Sequence, residues 1–332
     1  MLKSKVDHLT SFLKSKKIII GTHDLADLDG FASSIALKYI LNKHFDINDV
    51  YLFFSEFSRA TKQFTEKITE IFPNFDFYHE NIDDISDFDL LLIIDANNID
   101  LIKIKGKEDI PFICIDHHEK PDKNNERCLE SYNIILSDYS STAEIIYDIC
   151  DIKGIILPKA LKWLIISAIL TDSGYFKYGN NQTLIRTSKL LDNELKIQDI
   201  FMTLKNDIDI SKRIAKIKGL QRVKIIRENN YLIGLSHVSN YEASVANALI
   251  LIGFDVSIVL SEKQDDYRIT TRATSELCLK KGLNLGQLLS DLSSLSEGNA
   301  GGHAGAASLN GKINQEKVLE TIIEKVKDLI IN

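Results

Sequence analysis

The sequence predicts an α/β fold: an N-terminal, mostly parallel sheet with helices on both faces, joined by a helical connector to a smaller α/β domain. Three observations predict it. Four short runs, 17–22, 51–54, 90–95 and 112–116, are apolar at almost every position, and a strand without polar alternation is one covered on both faces, as strands of parallel sheets are. Helical spacing separates or follows these runs at 30–41, 59–71, 141–150 and 158–170, the alternation that builds βαβ units. Beyond 219 strands are expected at 224–226, 231–236, 256–260 and 267–271, with helices at 242–251 and 315–330.

Local signals support the individual elements. Ser141 with Glu144 matches a capping box, and Pro158 suits a first helical turn. Residues 197–219 are helical in pattern with no strand signal, and 210–227 carry Lys212, Arg213, Lys216, Lys218, Arg222, Lys224 and Arg227 without an acid. The domain connection is placed there, giving an N-terminal domain at 1–195, a connector at 196–220 and a C-terminal domain at 221–332. A basic run of this kind is most often a solvated helix face.

The 332 residues exceed one average domain. The longest apolar stretch, 163–170, falls far short of the roughly 20 residues of a membrane span, and no secretory pattern follows the N-terminal lysines. Cys114, Cys128, Cys150 and Cys278 show no CxxC spacing, so thiols in a reducing, cytoplasmic setting are expected. The net charge of −7 argues for a small or short substrate, because proteins that hold long duplexes are usually basic.

Four segments place metal-ligand side chains just after apolar elements: His23-Asp24-Leu25-Ala26-Asp27-Leu28-Asp29-Gly30, Asp95, Asp116-His117-His118, and Asp172 within Thr171-Asp172-Ser173-Gly174. Ligands of an open parallel sheet collect beyond the carboxyl ends of its strands, so the first three segments converge. A single Asp at a strand end is more often a cap or turn residue; the joint pattern is what points to chemistry. Phosphodiester hydrolysis needs an activated water and a sink for phosphoryl charge, which two divalent ions supply. Mixed carboxylates and imidazoles suit Mn²⁺ first, with Mg²⁺ or Co²⁺ as alternatives. Asp27 and Asp29 are expected on a loop, with Gly30 allowing a tight turn into the next helix.

His-x3-Asp-x-Asp-Gly, a strand-terminal Asp, Asp-His-His and Thr-Asp-Ser-Gly resemble the four motifs of the DHH phosphoesterases. Gly298-Asn299-Ala300-Gly301-Gly302-His303-Ala304-Gly305-Ala306-Ala307 resembles the glycine-rich element of the DHH-associated C-terminal domain, and Arg272 stands where that domain has a substrate-binding arginine. The resemblance, which covers nearly the whole chain, implies an active site in the cleft between the domains. It implies that His23, Asp27 and Asp95 hold one ion, and that Asp29, Asp95, His117 and Asp172 hold the second, with Asp95 bridging. His118 would contact the scissile phosphate and protonate the leaving oxygen, and Asp116 would fix an imidazole tautomer. Arg272, Gly301, Gly302 and His303 would hold another substrate phosphate. The element GNAGGHAGA departs from a purer glycine run.

His8, His44, His79 and His237 belong to no motif, and Asp24 is read as solvated or capping. Ser33, Ser34, Ser140, Ser141 and Thr142 lie near the motifs, with helix packing or N-capping as the competing roles. The resulting expectation is an exonuclease or oligoribonuclease-type enzyme that hydrolyses short single-stranded RNA or DNA to mononucleotides by two-metal-activated water, resembling the oligoribonuclease/pAp-phosphatase and RecJ-like branches. Alternatives are a phosphoesterase for cyclic or linear dinucleotides or adenosine bisphosphate, and an inactive scaffold of a replication or repair assembly. Partners are thus nucleic acid or a small nucleotide and no membrane, with a homodimer compatible with the sequence.

Overall fold

The computed structural model describes residues 2–119, 125–191, 195–205, 209–263 and 266–331. The chain forms two compact units, within residues 1–206 and 207–332.

The first unit runs α1 (Leu2–Leu13), β1 (Ile18–Gly21), β2 (Leu25–Ala26), α2 (Leu28–His44), β3 (Val50–Phe53), β4 (Glu56–Phe57), α3 (Arg59–Ile71), β5 (Leu90–Ile94), β6 (Phe112–Asp116), β7 (Ile134–Ile135), α4 (Thr142–Lys153), α5 (Lys159–Asp172), α6 (Asn181–Leu190) and α7 (Ile197–Leu204). Its main sheet has the order β3-β1-β5-β6-β7, and every pairing in it is parallel. After β1 the chain steps to one side, to β3, then returns to the other side for β5. The strand order therefore reverses between β1 and β5, where a crevice opens beyond the carboxyl ends.

Alternation along the strands divides the core in two. Ile18, Ile20, Leu90, Leu92, Ile94, Ile113 and Ile115 face a cluster built with α1 to α7. Ile19, Leu91, Ile93, Phe112 and Cys114 face a second cluster with Ile85, Ile99, Ile102 and Ile110. Helices were expected on both faces. Among the described residues the α-helices cover one face, while the helical element on the other is the single 3₁₀ turn Ile99–Leu101 within irregular chain.

The second unit runs α8 (Ile210–Gln221), β8 (Lys224–Glu228), β9 (Tyr231–His237), α9 (Glu242–Leu251), β10 (Val256–Glu262), β11 (Tyr267–Ala273), α10 (Ser275–Lys281), α11 (Leu285–Asp291), β12 (Asn299–His303), β13 (Ala306–Gly311) and α12 (Gln315–Ile331). Its sheet, ordered β12-β13-β11-β10-β9-β8, is mixed: β9 and β10 are parallel and the other pairs antiparallel. Residues 196–220, expected as a connector, are shared out. α7 packs on α3 and α5, whereas α8 packs on α9 and β9. Among the described residues no helix is long and apolar enough to cross a membrane, and the four cysteines form no disulfide.

Two expectations about local chemistry change. Gly30 does not make a turn; it sits in the first turn of α2, and what excludes a larger residue is space. A Cβ there would lie 2.2 Å from Thr22 Oγ1 and 3.0 Å from Thr22 Cβ. The Ser141/Glu144 pair is only half a capping box. Ser141 Oγ accepts from the Glu144 amide at 3.3 Å, but the Glu144 carboxylate turns to Ser140, Thr183 and Arg186 instead. Overpacking of this kind costs about 1–3 kcal/mol, so Gly30→Ala is expected to lose that much in denaturant unfolding, with Thr22→Ala recovering part of it. An unchanged midpoint would contradict the packing account.

Candidate metal centre

Asp27 is the N-cap of α2, its Oδ1 accepting from the Gly30 amide at 3.0 Å. Its other oxygen lies 3.6 Å from His23 Nε2, which is 3.9 Å from Asp95 Oδ2. Asp95 follows β5 and is 3% exposed. It has left-handed backbone, φ 59°, a conformation that Asp and Asn tolerate better than other non-glycine residues. That turn bends the carboxylate into the crevice, where Thr142 Oγ1 donates to Oδ1 at 3.0 Å.

Asp29 is 1% exposed and ties two helices together. The amides of Thr142 and Ala143, the first two of α4, donate to its two oxygens at 2.6 and 2.8 Å. With Ser141 serving the third amide, the unpaired donors of this helix start are answered by side chains, and the helix end favours the negative charge. Ser33 Oγ adds a bond to Asp29 Oδ1 at 3.2 Å. A carboxylate offers about four lone-pair sites; three are taken here, which leaves one on Oδ2.

His117 Nε2 lies 3.5 Å from Asp95 Oδ1 and 3.2 Å from Asp172 Oδ2. Its Nδ1 lies 3.3 Å from the Tyr139 carbonyl. Only a protonated Nδ1 can donate there, so Nε2 carries the lone pair in the neutral ring. Burial, together with His118 alongside, lowers its pKa and keeps it neutral. Asp116 is fully buried; its Oδ1 bonds His118 Nδ1 at 2.8 Å, and its Oδ2 is buried without a hydrogen-bond partner. His118 is 59% exposed, with its pKa raised by that Asp116 bond against the pull of burial.

These residues fall into overlapping groups whose donor atoms lie within 4.8 Å of one another: His23, Asp27 and Asp95; Asp29, His117 and Asp172; and Asp95, Asp116, His117 and His118. Atoms that share one divalent ion at about 2.1 Å stand roughly 3–3.5 Å apart, close to the spacings seen. The electrostatics fit a cation as well. Burial, followed by Asp172 and Asp27, pushes Asp29 up to about 8; burial and the same kind of crowding raise Asp95 strongly, and burial then Asp27 bring Asp172 to about 6. Asp27 goes the other way: burial opposes ionisation, but hydrogen bonds from His23 and the Gly30 amide outweigh it. Buried carboxylates gathered this closely repel unless positive charge joins them.

Sequence reasoning missed one support. Arg186 forks onto Asp148 with two bonds of 2.8 Å and reaches Glu144 Oε2 at 2.6 Å. Its guanidinium lies 4.2 Å over the Tyr139 ring, whose hydroxyl also donates to Asp148 at 2.7 Å. This network holds the residue whose carbonyl orients His117. No short-range pattern reveals it, because Glu144 and Arg186 are 42 positions apart. Thr142 stood among the candidates beside the motifs, and the structure gives it contacts to both Asp29 and Asp95.

In the second unit Arg272, on β11, pairs with Ala306 on β13, which pairs in turn with His303 on β12. Directly paired residues point to one face, so the small Ala306 leaves a gap between Arg272 and His303, about 10 Å apart across two strand spacings. Arg272 Nε donates to Asn247 Oδ1 at 3.0 Å. Gly301 and Gly302 lie on the edge strand β12. At Gly302, φ is 149° and a Cβ would come within 2.3 Å of the Ala306 oxygen, so only glycine fits.

Two measurements check this construction. Arg186→Met leaves Glu144 and Asp148 without their cation, so it is expected to destabilise the fold by about 3–5 kcal/mol; a loss near that of a surface change, about 0.5 kcal/mol, would contradict the network's role. Mn²⁺ is expected to raise thermal stability, by about 2.7 kcal/mol at a hundredfold excess over Kd. A melting temperature indifferent to Mn²⁺ would count against a metal centre.

Residues 17–169 match the DHH family, N-terminal domain, and residues 243–332 match the DHHA1 domain. An uncharacterized protein of Methanocaldococcus jannaschii is 29% identical over 328 residues, covering 97% of this chain and 95% of that protein. The crystal structure of an exopolyphosphatase-related protein from Bacteroides fragilis superposes with a TM-score of 0.62 at 20% identity, over 99% of this chain and 98% of that one. RecJ from Thermus thermophilus, in complex with Mn²⁺, is a more distant likeness at TM-score 0.45 and 12% identity, over all of this chain and 55% of RecJ. The chain carries the DHH family N-terminal domain and, after it, the DHHA1 domain.

Proposed function

We propose that the chain is a metal-dependent phosphodiesterase that degrades short single-stranded oligonucleotides, RNA or DNA, to mononucleotides. The observation that carries this reading is the pair of donor groups, His23–Asp27–Asp95 and Asp29–His117–Asp172, joined by the 3.5 Å approach of Asp95 to His117. Two divalent ions held there, Mn²⁺ before Mg²⁺ or Co²⁺, would supply an activated water and a sink for phosphoryl charge.

The chain's own residues do the remaining work in this reading. Asp95 is in reach of both groups and is held by Thr142. His117 is presented through Nε2 by the Tyr139 carbonyl. His118, half exposed and held by Asp116, contacts the scissile phosphate and hands a proton to the leaving oxygen. Arg272 and His303, with the amides near Gly301 and Gly302, grip another phosphate of the substrate. The net charge of −7 favours a short substrate.

The test is incubation with Mn²⁺ and single-stranded RNA and DNA of two to about twenty nucleotides, beside cyclic dinucleotides and adenosine bisphosphate, with a chelator control. Mononucleotide release, fastest on the shortest oligomers and abolished by the chelator, is expected. Turnover of cyclic or bisphosphate compounds alone would replace this reading with a small-nucleotide phosphoesterase, and no turnover despite bound metal would point to a scaffold. Asp95→Asn keeps the left-handed turn and is expected to lose more than the roughly hundredfold that outer-shell substitutions cost; activity persisting in it would sink the shared-ligand role.

A further inference from the structure

A recess of about 210 Å³ opens beside Asp27, Asp29 and Asp172, and its lining mixes hydroxyl side chains with Leu28, Phe64, Leu204 and Tyr175. All of it belongs to the first unit. It is smaller than the roughly 300–1,000 Å³ of pockets for drug-sized ligands, a size for one ring system and its sugar, not for a run of bases.

Tyr175 is placed unusually for a packing residue. It is 54% exposed, and its neighbour Phe201 is 37% exposed, their ring centroids 5.8 Å apart at 36°. Gly174, Tyr175 and Phe176 have φ of 57°, 58° and 70°. Bulky residues are outliers in that region, and such strain persists only where surrounding contacts fix it. Here the Tyr175 amide donates to the Leu170 carbonyl at 2.7 Å and the Phe176 amide to Ser173 Oγ at 3.0 Å. The left-handed run begins two residues after α5 ends at Asp172. It thus sets an exposed aromatic residue in the lining of a recess next to the carboxylates.

We propose that this recess is a base-binding subsite in which a nucleobase stacks on Tyr175, backed by Phe201, with the phosphate of the same nucleotide at the Asp27–Asp172 edge. The position of the phosphate rests on the phosphodiesterase reading; the stacking does not. Every base has a π-face, so a stacking platform tolerates any sequence, and the subsite should accept ribo- and deoxyribonucleotides alike.

The test is calorimetric titration of the full chain, with Mn²⁺ present, by AMP and by ribose 5-phosphate. Stacking of one base is worth about tenfold in affinity, so AMP is expected to bind at least that much tighter than the base-free compound. Tyr175→Gly, which suits the left-handed backbone, should erase the difference and leave ribose 5-phosphate binding unchanged; Tyr175→Phe should preserve it. Equal affinities in the wild type, an AMP advantage that survives Tyr175→Gly, or a parallel loss for both ligands would overturn the subsite. If the wild type prefers AMP through Tyr175 yet cleaves no phosphodiester, the phosphodiesterase reading fails and the subsite stands. If it cleaves dinucleotides while binding both ligands equally, the reverse holds.

Discussion

The buried carboxylate of Asp29, fastened to the first amides of α4, is the interaction on which the rest of the centre depends. It sits in the first turn of α2 and reaches across to the start of α4, so one side chain ties together the two helices that bear on the candidate metal centre. The helix start supplies positive potential where the sheet's strand order reverses. Without it, a carboxylate at this depth would be unsatisfied in water-free surroundings. With it, Asp27, two residues earlier, and Thr142, at the helix start, are both delivered to Asp95.

The cluster carries conflicting demands. Helix amides stabilise Asp29 as an anion, while Asp172, Asp27 and burial resist that charge. A divalent cation among the carboxylates would resolve the conflict. The supports are of the other kind: Arg186 answers Asp148 and Glu144 with hydrogen bonds supplied by the protein itself. Rigid, satisfied surroundings and an unsatisfied centre are what a preorganised ion site requires.

Much of this was legible in the residues. The uninterrupted apolar runs became β1, β3, β5 and β6, and the Asp and His residues after β1, β5 and β6 converge because parallel strands share one carboxyl end. The Asp and His spacings were therefore enough to bring His23, Asp27, Asp95 and His117 together in thought. The left-handed backbone of Asp95 was not legible, because no glycine or asparagine marks it. Neither was the pairing of Arg186 with Glu144, a tertiary contact without sequence periodicity, nor the irregular layer over Ile19, Leu91 and Phe112, whose apolar residues follow no single period. Gly30 was read as allowing a tight turn, whereas close approach to Thr22 is what excludes a side chain. The glycines at 301 and 302, expected to hold a substrate phosphate, lie on an edge strand, which the glycine-rich run did not signal.

The central claim is that these side chains hold two divalent ions that share Asp95. Calorimetric titration of the chelator-treated chain with Mn²⁺ tests it most directly. The account predicts saturation at two ions per chain in the wild type and loss of both high-affinity sites in Asp95→Asn. Saturation at one ion, or two sites that persist in Asp95→Asn, would contradict it.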